Sequence, residues 1–528
     1  MARVNRRRIR TCGIAAVTAM APLLAMPLPL AAQPADGPAP AASEHALRCQ
    51  TLIGRTVAGA IIGDAALQFS APPANAPCIV DAALHETLRF RIALPADWNG
   101  RLLYLGGGGW NGAIMPFAFA PEQAGYALVA SDSGHSANGI DASWALGNPQ
   151  AQMEFAFLSV HSVAEATKTI IHDFYGSAPH HSYFEGCSNG GREGLVSATR
   201  FPSDFDGVIA RAPANYWSSL FTTFLRNGQR QLATPAGAIG PEQARIVEQT
   251  ALLQCDALDG LADGVVANPD ACHVRLEEAL CTPGNSAQCL TGEQIDTARS
   301  FYSELRSADG TLLYPGWAPG GEGEGWPLWL TGAPAATPGG PDAQLPVGAQ
   351  ALFGEGFYKY WVLADPDADL AQVDPEQHRP ALALADTLLT ATPDLRTFFN
   401  RGAKLILWHG VADWAISYRA SVRYYDEVSE AVGGDAQRDE SMEFYLAPGV
   451  QHCAGGSGAD AVDLLTPLRL WVESGERPSD LIAQKRNPAG QVTLARPLCR
   501  YPAIPQYRGG DVTAADSFTC EAPNPGPD

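Results

Sequence analysis

Seven short apolar segments, each bounded by Gly, Pro or Asp, constrain the fold of this chain more than any other feature. They are Leu88 to Leu94, Leu102 to Leu105, Tyr126 to Ala130, Ser182 to Phe184, Gly207 to Ala210, Leu405 to Trp408 and Met442 to Leu446. Segments with helical patterns, such as 160–174 and 461–472, lie between them. Short buried strands that alternate with helices are typical of a mostly parallel sheet. The sequence therefore predicts an α/β fold.

The alternation stops between Ala210 and Leu405. About 190 residues, rich in Gly, Pro, Trp and paired acids, separate these two predicted strands, far more than an ordinary connection contains. We interpret residues 214–394 as a lid domain inserted into a core formed by residues 49–213 and 395–528. Within the insertion, GWAPGGEGEGWPLWLTGAP at 316–334 is expected to form neither a regular helix nor a central strand.

The N-terminus has the pattern of a secretory signal peptide. Five arginines come first: Arg3, Arg6, Arg7, Arg8 and Arg10. An apolar run from Gly13 to about Leu30 follows and ends at Ala31-Ala32, so we expect residues 1–32 to be removed. Residues 33–48 are interpreted as a flexible lead-in. The mature protein is expected outside the cell or in the periplasm.

Charge and composition exclude several classes of partner. The formal net charge of −21 disfavours binding to phosphate backbones and to anionic lipid headgroups. No segment after the leader approaches the ~20 apolar residues of a spanning helix. With 46% hydrophobic residues the chain can bury a large core. A small molecule is therefore the expected partner, rather than nucleic acid or a membrane.

The cysteines suggest a disulfide framework. Ten remain after Cys12 is assigned to the signal peptide, an even number that suits an oxidising compartment. Many pairings are possible, but short separations favour four local pairs: Cys49 with Cys78, Cys255 with Cys272, Cys281 with Cys289, and Cys499 with Cys520. Cys187 and Cys453 are then left without local partners.

A candidate nucleophile lies in FEGCSNGGREG at 184–194. Gly186-x-Ser188-x-Gly190 is the pattern of a nucleophile elbow, in which a strand turns sharply into a helix and exposes the serine hydroxyl. Gly accounts for 53 of 528 residues, so the pattern alone is a weak signal. Whether Ser188 is a nucleophile therefore depends on residues elsewhere in the chain that would activate it.

Downstream residues complete a catalytic triad in the order Ser, acid, His that is found in α/β hydrolases. Asp413 follows the predicted strand at 405–408, and His452 follows the predicted strand at 442–446. We therefore predict Ser188 as the nucleophile, His452 as the general base and Asp413 as the acid that orients it. Such a triad cleaves esters in two steps through an acyl-enzyme.

The two cysteines without local partners flank this triad. Cys187 precedes Ser188, and Cys453 follows His452. A disulfide holds two Cα atoms about 5.5 to 6 Å apart, so a bridge here would hold nucleophile and base side by side. The alternative is that both cysteines only fill space in the core.

A glycine run follows the predicted strand at 102–105, in LYLGGGGWNG. Such a loop lets backbone N–H groups approach a developing oxyanion, and we predict Gly108 and Asn189 as the two donors. A phosphate cradle is the alternative. No Walker Lys-Ser/Thr pair follows and GxGxxG is absent, which disfavours nucleotide binding.

Three carboxylates crowd a short stretch of the predicted lid: Asp256, Asp259 and Asp263. Hard oxygen ligands in a loop with glycines suit calcium, with backbone carbonyls completing the shell. The spacing is not that of an EF-hand, and Asp-Gly turns without a metal are common. From composition alone both interpretations stand.

Three motifs together resemble the tannase and feruloyl esterase family: Gly-Cys-Ser-x-Gly-Gly at 186–191, His-Gly-x-x-Asp at 409–413, and His452-Cys453. The resemblance covers nearly the whole mature chain, from about Cys49 to Cys520. It implies an α/β-hydrolase core with a large inserted lid domain, and a disulfide between Cys187 and Cys453. It also implies structural calcium bound by Asp256, Asp259 and Asp263 with the carbonyls of Leu261 and Val265.

Members of this family cleave esters of aromatic acids, namely gallate, ferulate and related cinnamates, or terephthalate monoesters. The resemblance implies that the lid supplies an aromatic pocket, and the candidate substrate contacts are Phe357, Tyr358, Tyr360, Trp361 and Ile416. The alternative is that these lid aromatics form core. Members that cleave terephthalate monoesters hold the free carboxylate with a lid arginine, whereas residues 348–365 contain Lys359 as the one cation.

Two other functions use the same residues. A calcium-dependent secreted binding protein could retain this scaffold without turnover, although a complete Ser, Asp and His set argues against it. A serine peptidase would need the same triad, and a substrate panel would separate it from an esterase. The sequence indicates neither the oligomeric state nor the particular acid and alcohol.

Overall fold

The computed structural model describes residues 44–68, 76–233, 235–283, 288–332 and 347–523. The predicted signal peptide and most of the lead-in lie outside the described residues. Residues Ser43–Asp528 form one compact unit. In the part of the chain that is described, no helix combines the length and apolar character needed to span a membrane.

The strands form one large sheet and three small antiparallel pairs. The strands are β1 (Thr56–Val57), β2 (Ala60–Leu67), β3 (Cys78–Leu84), β4 (Leu88–Leu94), β5 (Arg101–Leu105), β6 (Ala127–Ser131), β7 (His181–Cys187), β8 (Gly207–Arg211), β9 (Leu305–Arg306), β10 (Leu312–Tyr314), β11 (Lys404–Gly410), β12 (Met442–Ala447), β13 (Ile482–Arg486), β14 (Val492–Pro497), β15 (Ile504–Tyr507) and β16 (Phe518–Glu521). The large sheet has ten strands in the order β1-β2-β3-β4-β6-β5-β7-β8-β11-β12. From β6 to β12 the pairings are parallel, and from β1 to β4 they are antiparallel, as is the pairing of β4 with β6.

Helices cover both faces of this sheet. The helices are α1 (Glu44–Gln50), α2 (Pro149–Met153), α3 (Ser159–Tyr175), α4 (Asn189–Arg200), α5 (Trp217–Ala233), α6 (Pro241–Cys255), α7 (Gly292–Tyr302), α8 (Glu322–Trp329), α9 (Ala349–Phe357), α10 (Arg379–Leu389), α11 (Arg396–Asn400), α12 (Tyr418–Val432), α13 (Asp435–Asp439) and α14 (Leu465–Ser474). Because side chains alternate along a strand, Leu102 and Tyr104 face a core shared with α3, α4 and α12, whereas Leu103 faces a core shared with α14.

The predicted α/β fold is confirmed. Each of the seven predicted segments forms a strand of the large sheet, with ends that differ by at most a few residues. The antiparallel strands β1 to β3 were not predicted. The sequence of β2, AIIGDAAL, does not alternate between apolar and polar residues, and its pairing with β3 shifts register between Ile62 and Asp64.

The segment between β8 and β11 contributes no described strand to the large sheet. It forms α5 to α11 and the pair β9–β10, and α5 to α10 bury a separate apolar core. Trp110, Trp414 and Ile416, from loops after β5 and β11, also belong to this core. The division into a hydrolase core and a lid domain at 214 and 394 stays a prediction.

One expectation for this segment was wrong, because residues 322–329 do form a helix. Pro327 lies inside α8, where its missing N–H removes one hydrogen bond. The helix is short, and its ends are held by hydrogen bonds from Gly325 N to Gly321 O (2.8 Å) and from Leu330 N to Trp326 O (2.9 Å). Burial of Trp326 against Trp414 stabilises it further.

The ten cysteines of the described chain form five disulfides. The pairs are Cys49–Cys78, Cys187–Cys453, Cys255–Cys272, Cys281–Cys289 and Cys499–Cys520. Four of these disulfides form short loops between the local pairs that the spacing favours. The fifth joins residues 266 positions apart.

Candidate active site

Ser188 occupies a tight turn between β7, which ends at Cys187, and α4, which begins at Asn189. Its backbone has φ 63° and ψ −123°, a conformation that non-glycine residues rarely adopt. A Cβ on Gly186 would lie 2.6 Å from the carbonyl of Gly190, so the turn requires glycine there. Ser188 is half-buried and lies in a strained elbow of the kind that the motif predicts.

Two backbone hydrogen bonds fix Ser188 to the neighbouring strand. Its N–H donates to the carbonyl of Arg211 at the end of β8 (3.0 Å), and its carbonyl accepts from the N–H of Ala214 (3.1 Å). A Cβ on Gly191 would lie 2.4 Å from the same Arg211 carbonyl oxygen. The glycines after the serine therefore let the start of α4 pack directly against the end of β8.

Asp413 and His452 come together at the same edge of the sheet. Asp413 follows β11 and His452 follows β12, and these parallel strands pair in register up to Gly410 and Ala447. Nδ1 of His452 lies 2.8 Å from Oδ2 of Asp413. A hydrogen bond to Nδ1 leaves Nε2 of His452 available to a second partner.

The carboxylate of Asp413 is fully buried and accepts several hydrogen bonds. The N–H groups of Ala415 and Ile416 donate to Oδ1 at 2.8 and 2.9 Å. Burial opposes ionisation, but the charge of His452 and the hydrogen bonds from His409 and His452 outweigh it and hold the pKa of Asp413 well below its usual range. Asp413 is therefore a carboxylate at working pH.

His409 is a contributor that sequence reasoning missed. It is fully buried, and its Nε2 lies 3.2 Å from Oδ2 of Asp413 and 3.0 Å from the carbonyl oxygen of Ile416. Both neighbours are acceptors, so Nε2 carries a proton, while Nδ1 lies 2.8 Å from Oγ of Ser421. The only signal in the sequence was its place at the start of His-Gly-x-x-Asp.

Ser188 and His452 line one cavity of about 270 Å³. The disulfide between Cys187 and Cys453, with Cα atoms 6.0 Å apart, joins the two turns that carry them. The other residues lining the cavity are Gly108, Gly109, Asn189, Ala214, Trp217, Leu220, Phe221, Phe224, Trp329, Phe353, Ala415 and Ile416. The serine and the histidine thus open onto a pocket with a mostly apolar, aromatic wall.

Helices α5 and α8 supply much of that wall. Trp217, Leu220, Phe221 and Phe224 recur at positions i, i+3, i+4 and i+7, which is one face of a helix. This periodicity is visible in the sequence and was overlooked. Trp329 at the end of α8 meets the ring of His452 edge-on, with ring centroids 5.0 Å apart.

Gly108 and Asn189, the predicted oxyanion donors, both line the cavity. Gly106 and Gly107 use their N–H groups elsewhere, on the carbonyl of Glu185 and the carboxylate of Glu193, both at 2.9 Å. Within the described chain, the N–H groups of Gly108 and Asn189 have no hydrogen-bond acceptor. They are free to bind a ligand.

Four of the five predicted substrate contacts lie behind the wall rather than in it. Phe357 and Tyr358 are fully buried; Phe357 packs on Phe221, and Tyr358 shares a hydrogen bond with Thr222 (2.7 Å). Trp361 packs on Trp110 and Trp144, and Tyr360 packs against the same core. Phe357 ends α9, and Tyr358, Tyr360 and Trp361 lie in a π-helical turn, Tyr358–Val362. Ile416 alone among the five lines the cavity.

Lys359 does not line the cavity either. Its Nζ lies 2.6 Å from Oε1 of Glu355, one turn earlier. It borders a separate groove, which Glu355 also lines. Of the described residues that line the catalytic cavity, none is a lysine or arginine.

The acidic loop, residues 256–265, follows α6. The carboxylate of Asp256 accepts the N–H groups of Asp263 (3.1 Å) and Gly264 (2.9 Å), and Asp263 pairs with Arg496 at 2.7 Å. Burial, with some repulsion from the other two acids, raises the pKa of Asp259 to about 6. Across the described ranges, no cluster of three or more His, Cys, Asp or Glu side chains is arranged to hold a metal. A cation here would therefore need backbone carbonyls as well as Asp259.

The sheet, the elbow serine and the Asp–His pair after later strands define an α/β-hydrolase fold. The profile described as tannase and feruloyl esterase matches residues 78–521. A probable feruloyl esterase from Arthroderma benhamiae is 32% identical over 451 residues, which cover 81% of each chain. A mono(2-hydroxyethyl) terephthalate hydrolase from Piscinibacter sakaiensis is 31% identical over 505 residues, with 83% of this chain and 82% of that protein covered.

Solved structures agree with these relatives. The crystal structure of feruloyl esterase B from Aspergillus oryzae aligns with a TM-score of 0.80 at 26% identity, covering 90% of this chain and 100% of that one. The chain belongs to the tannase and feruloyl esterase family. It is a carboxylic ester hydrolase.

Proposed function

We propose that this protein is a secreted serine esterase that hydrolyses carboxylic esters of aromatic acids. One observation carries the proposal: Ser188 and His452 open together onto an aromatic cavity, with Asp413 hydrogen-bonded behind His452. Acyl transfer needs a nucleophile, a base in reach of it and a group that orients the base. The pattern of residues 1–32 supports export.

In the first step Oγ of Ser188 attacks the ester carbonyl carbon, and Nε2 of His452 accepts the proton of the Ser188 hydroxyl. Asp413 keeps the other ring nitrogen protonated and stabilises the imidazolium that forms. The developing oxyanion binds the N–H groups of Gly108 and Asn189, which have no other acceptor in the described chain. His452 then protonates the departing alcohol.

In the second step water attacks the acyl-serine with His452 again acting as base. The second tetrahedral intermediate collapses, the carboxylic acid leaves, and the proton returns to Ser188. No redox group or metal is needed to balance these steps.

The wall of the cavity favours an aromatic acid without a second charge. Trp217, Phe221 and Trp329 offer ring faces and edges to an aromatic acyl group. A free carboxylate at the far end of the acyl group would lose hydration on binding, and no lysine or arginine among the described lining residues would pair with it. Neutral feruloyl- or galloyl-type esters are therefore proposed as better substrates than terephthalate monoesters.

A substrate panel tests this proposal. kcat/KM should be measured for methyl ferulate, methyl gallate and mono(2-hydroxyethyl) terephthalate, with p-nitrophenyl acetate and a peptide anilide as controls. A neutral aromatic ester should be turned over fastest. Turnover of p-nitrophenyl acetate alone would contradict the aromatic assignment, and preferential cleavage of the anilide would favour a peptidase.

We also propose that the acidic loop binds a structural calcium ion. The support is the buried carboxylate of Asp259, which has a raised pKa and is close enough to Asp263 and Asp256 for their charges to raise it further. Asp256, Asp259 and Asp263 with the carbonyls of Leu261 and Val265 would hold the ion, and Asp263 would exchange Arg496 for it. The ion would offset the repulsion among the three acids.

A further inference from the structure

Glu193 is a buried carboxylate one helical turn beyond the candidate nucleophile. It is 4% exposed and lies on α4, whose first residue is Asn189. The groups that donate to it are all uncharged: the N–H of Gly107 (2.9 Å), Nδ2 of Asn111 (2.9 Å), Nδ2 of Asn189 (3.1 Å) and Oγ of Ser133 (3.4 Å). Burying an ionisable carboxyl among neutral donors opposes folding, and here burial raises the pKa of Glu193.

Two of the donors to Glu193, Gly107 and Asn189, come from the segments that carry the proposed oxyanion donors. Oε2 binds the N–H of Gly107, the residue before Gly108. Oε1 binds the side chain of Asn189, a residue that lines the cavity. A single carboxylate therefore ties the glycine loop after β5 to the first turn of α4.

The amide of Asn189 is fixed on its other side as well. Its Oδ1 accepts from Nε of Arg192 at 2.7 Å, and its Nδ2 also donates to Oδ1 of Asn111 at 3.2 Å. The guanidinium of Arg192, itself fully buried, donates to the carbonyls of Phe155 (3.0 Å) and Ala156 (2.8 Å). Asn189 thus has no freedom to turn without breaking several buried hydrogen bonds.

The glycine loop sits directly on α4. A Cβ on Gly106 would lie 2.8 Å from Cα of Gly190 and 3.2 Å from Oε2 of Glu193. A Cβ on Gly190 would lie 2.6 Å from the carbonyl oxygen of Gly107. Because the two backbones are in contact, a small shift of the loop changes the distance between the N–H groups of Gly108 and Asn189.

We propose that Glu193 is a positioning residue, which sets the spacing of the two oxyanion donors by holding the Gly107 N–H and the Asn189 side chain at once. The inference rests on the proposed serine esterase function. Glu193 touches neither substrate nor Ser188 in this role. It acts on the transition state through Gly108 and Asn189, because the oxyanion exists only there.

The test compares Glu193→Gln and Glu193→Met with the wild-type enzyme and with Glu443→Gln. Glu443 is a matched control, since it is a buried carboxyl (1% exposed) that pairs with Arg477 and Arg500 at the far end of β12. Methyl ferulate reports kcat and KM. The neutral amide of ferulic acid reports binding of the ground state. Phenylboronic acid, which forms a tetrahedral adduct with a serine, reports binding of a transition-state mimic.

Glu193→Met should lower kcat by about 100-fold, which is the low end of the effect of losing one oxyanion donor. It should weaken binding of the boronic acid by a similar factor. KM and binding of the neutral amide should change by less than about 3-fold, because ground-state contacts remain. Glu193→Gln keeps one acceptor oxygen and should lose about 10-fold in kcat. Glu443→Gln should lower stability while leaving these constants unchanged.

Unchanged kcat in Glu193→Gln and Glu193→Met, or equal weakening of binding of the neutral amide and of the boronic acid, would overturn the proposal. If Glu193→Met fails to fold, Glu193→Gln alone decides the matter by the same comparison. Failure of the proposed function has a separate signature, because Ser188→Ala would then keep wild-type turnover and the boronic acid would not inhibit the wild-type enzyme.

Discussion

Cys187 and Cys453, whose Cα atoms lie 6.0 Å apart, are the immediate chain neighbours of Ser188 and His452. The two catalytic turns belong to strands β7 and β12, which do not pair with each other in the sheet. The covalent link therefore supplies a constraint between these turns that the sheet provides only indirectly. It ties the geometry of the site to the redox state of one disulfide.

Removing this disulfide should damage activity before it unfolds the protein. A cross-link between residues 266 positions apart lowers the entropy of the unfolded chain, which raises the free energy of unfolding by about 5 kcal/mol at most. We expect the double variant Cys187→Ala, Cys453→Ala to lose at least about 10-fold in kcat at temperatures where circular dichroism still reports a folded chain. The matched control is Cys281→Ala with Cys289→Ala, which opens a loop of only 8 positions. Equal activity in both double variants would refute the idea.

Asp413→Asn should fold but turn over esters slowly. The N–H groups of Ala415 and Ile416 can still donate to Oδ1, whereas the new amide would face His452 as a donor and favour the wrong tautomer. By analogy with other triads we expect kcat to fall by about 10⁴-fold. Steady-state kinetics with methyl ferulate measures this. A loss below 10-fold would show that Asp413 does not orient His452.

The lowered pKa of Asp413 has a consequence for stability. A carboxyl with a folded pKa below its unfolded value stabilises the fold at all pH values above the unfolded pKa, near 3.9. That contribution disappears only as pH falls through the low folded pKa. The difference in unfolding free energy between wild type and Asp413→Asn should therefore not shrink between pH 7 and pH 5, by urea titration. A difference that shrinks over this range would contradict the assignment.

Glu322 should make the protein less stable as pH rises toward neutrality. Burial raises the pKa of Glu322 to about 7, although Tyr302 and the N–H of Gly320 donate to its Oε1. Its Oε2 is buried and has no partner among the described residues, which suits a protonated carboxyl. Between its ordinary pKa of 4.5 and about 7 the folded state binds more protons than the unfolded state, so stability falls with rising pH.

Glu322→Gln should remove that dependence. The isosteric amide cannot ionise. Between pH 4.5 and pH 7 the unfolding free energy of the variant should therefore increase relative to that of wild type by about 3 kcal/mol at most. Urea unfolding of both proteins across this range gives the difference curve. A flat difference curve would mean that Glu322 is not held protonated.

The residues of the candidate active site could be selected from the sequence because their signals are local. Ser188 lies in a short motif directly after an apolar strand, and Asp413 and His452 each follow another. In a mostly parallel sheet the carboxyl ends of such strands meet at one edge, so the chain order was sufficient to bring them together. Which residues hold the elbow in place, such as Arg211 and Glu193, depends on neighbouring strands and helices that no local pattern reveals.

The cavity wall was not predictable in the same way. Phe357 and Phe221 are both lid aromatics on helices, and they contact each other, yet Phe221 lines the cavity while Phe357 lies behind it. The spacing of Trp217, Leu220, Phe221 and Phe224 indicates one apolar helix face, but it does not indicate whether that face borders a cavity or a core. That depends on how α5 and α9 pack against each other.

Calcium should stabilise the protein through the acidic loop. Addition of EDTA should lower Tm by several degrees, and calcium should restore it, because a bound ion offsets the repulsion around Asp259. Asp259→Asn should abolish the response to calcium. The control is Asp309→Asn, an exposed carboxylate that hydrogen-bonds within its own turn. An unchanged Tm in EDTA would reject the proposed ion.

The central claim is that Ser188 is the nucleophile of an esterase. The most direct measurement is covalent labelling of the purified protein with a fluorophosphonate, followed by peptide mass spectrometry. We predict one equivalent of label on the peptide that carries Ser188, loss of ester turnover in parallel with labelling, and neither label nor turnover in Ser188→Ala. Label on another residue, or full ester turnover by Ser188→Ala, would contradict the account.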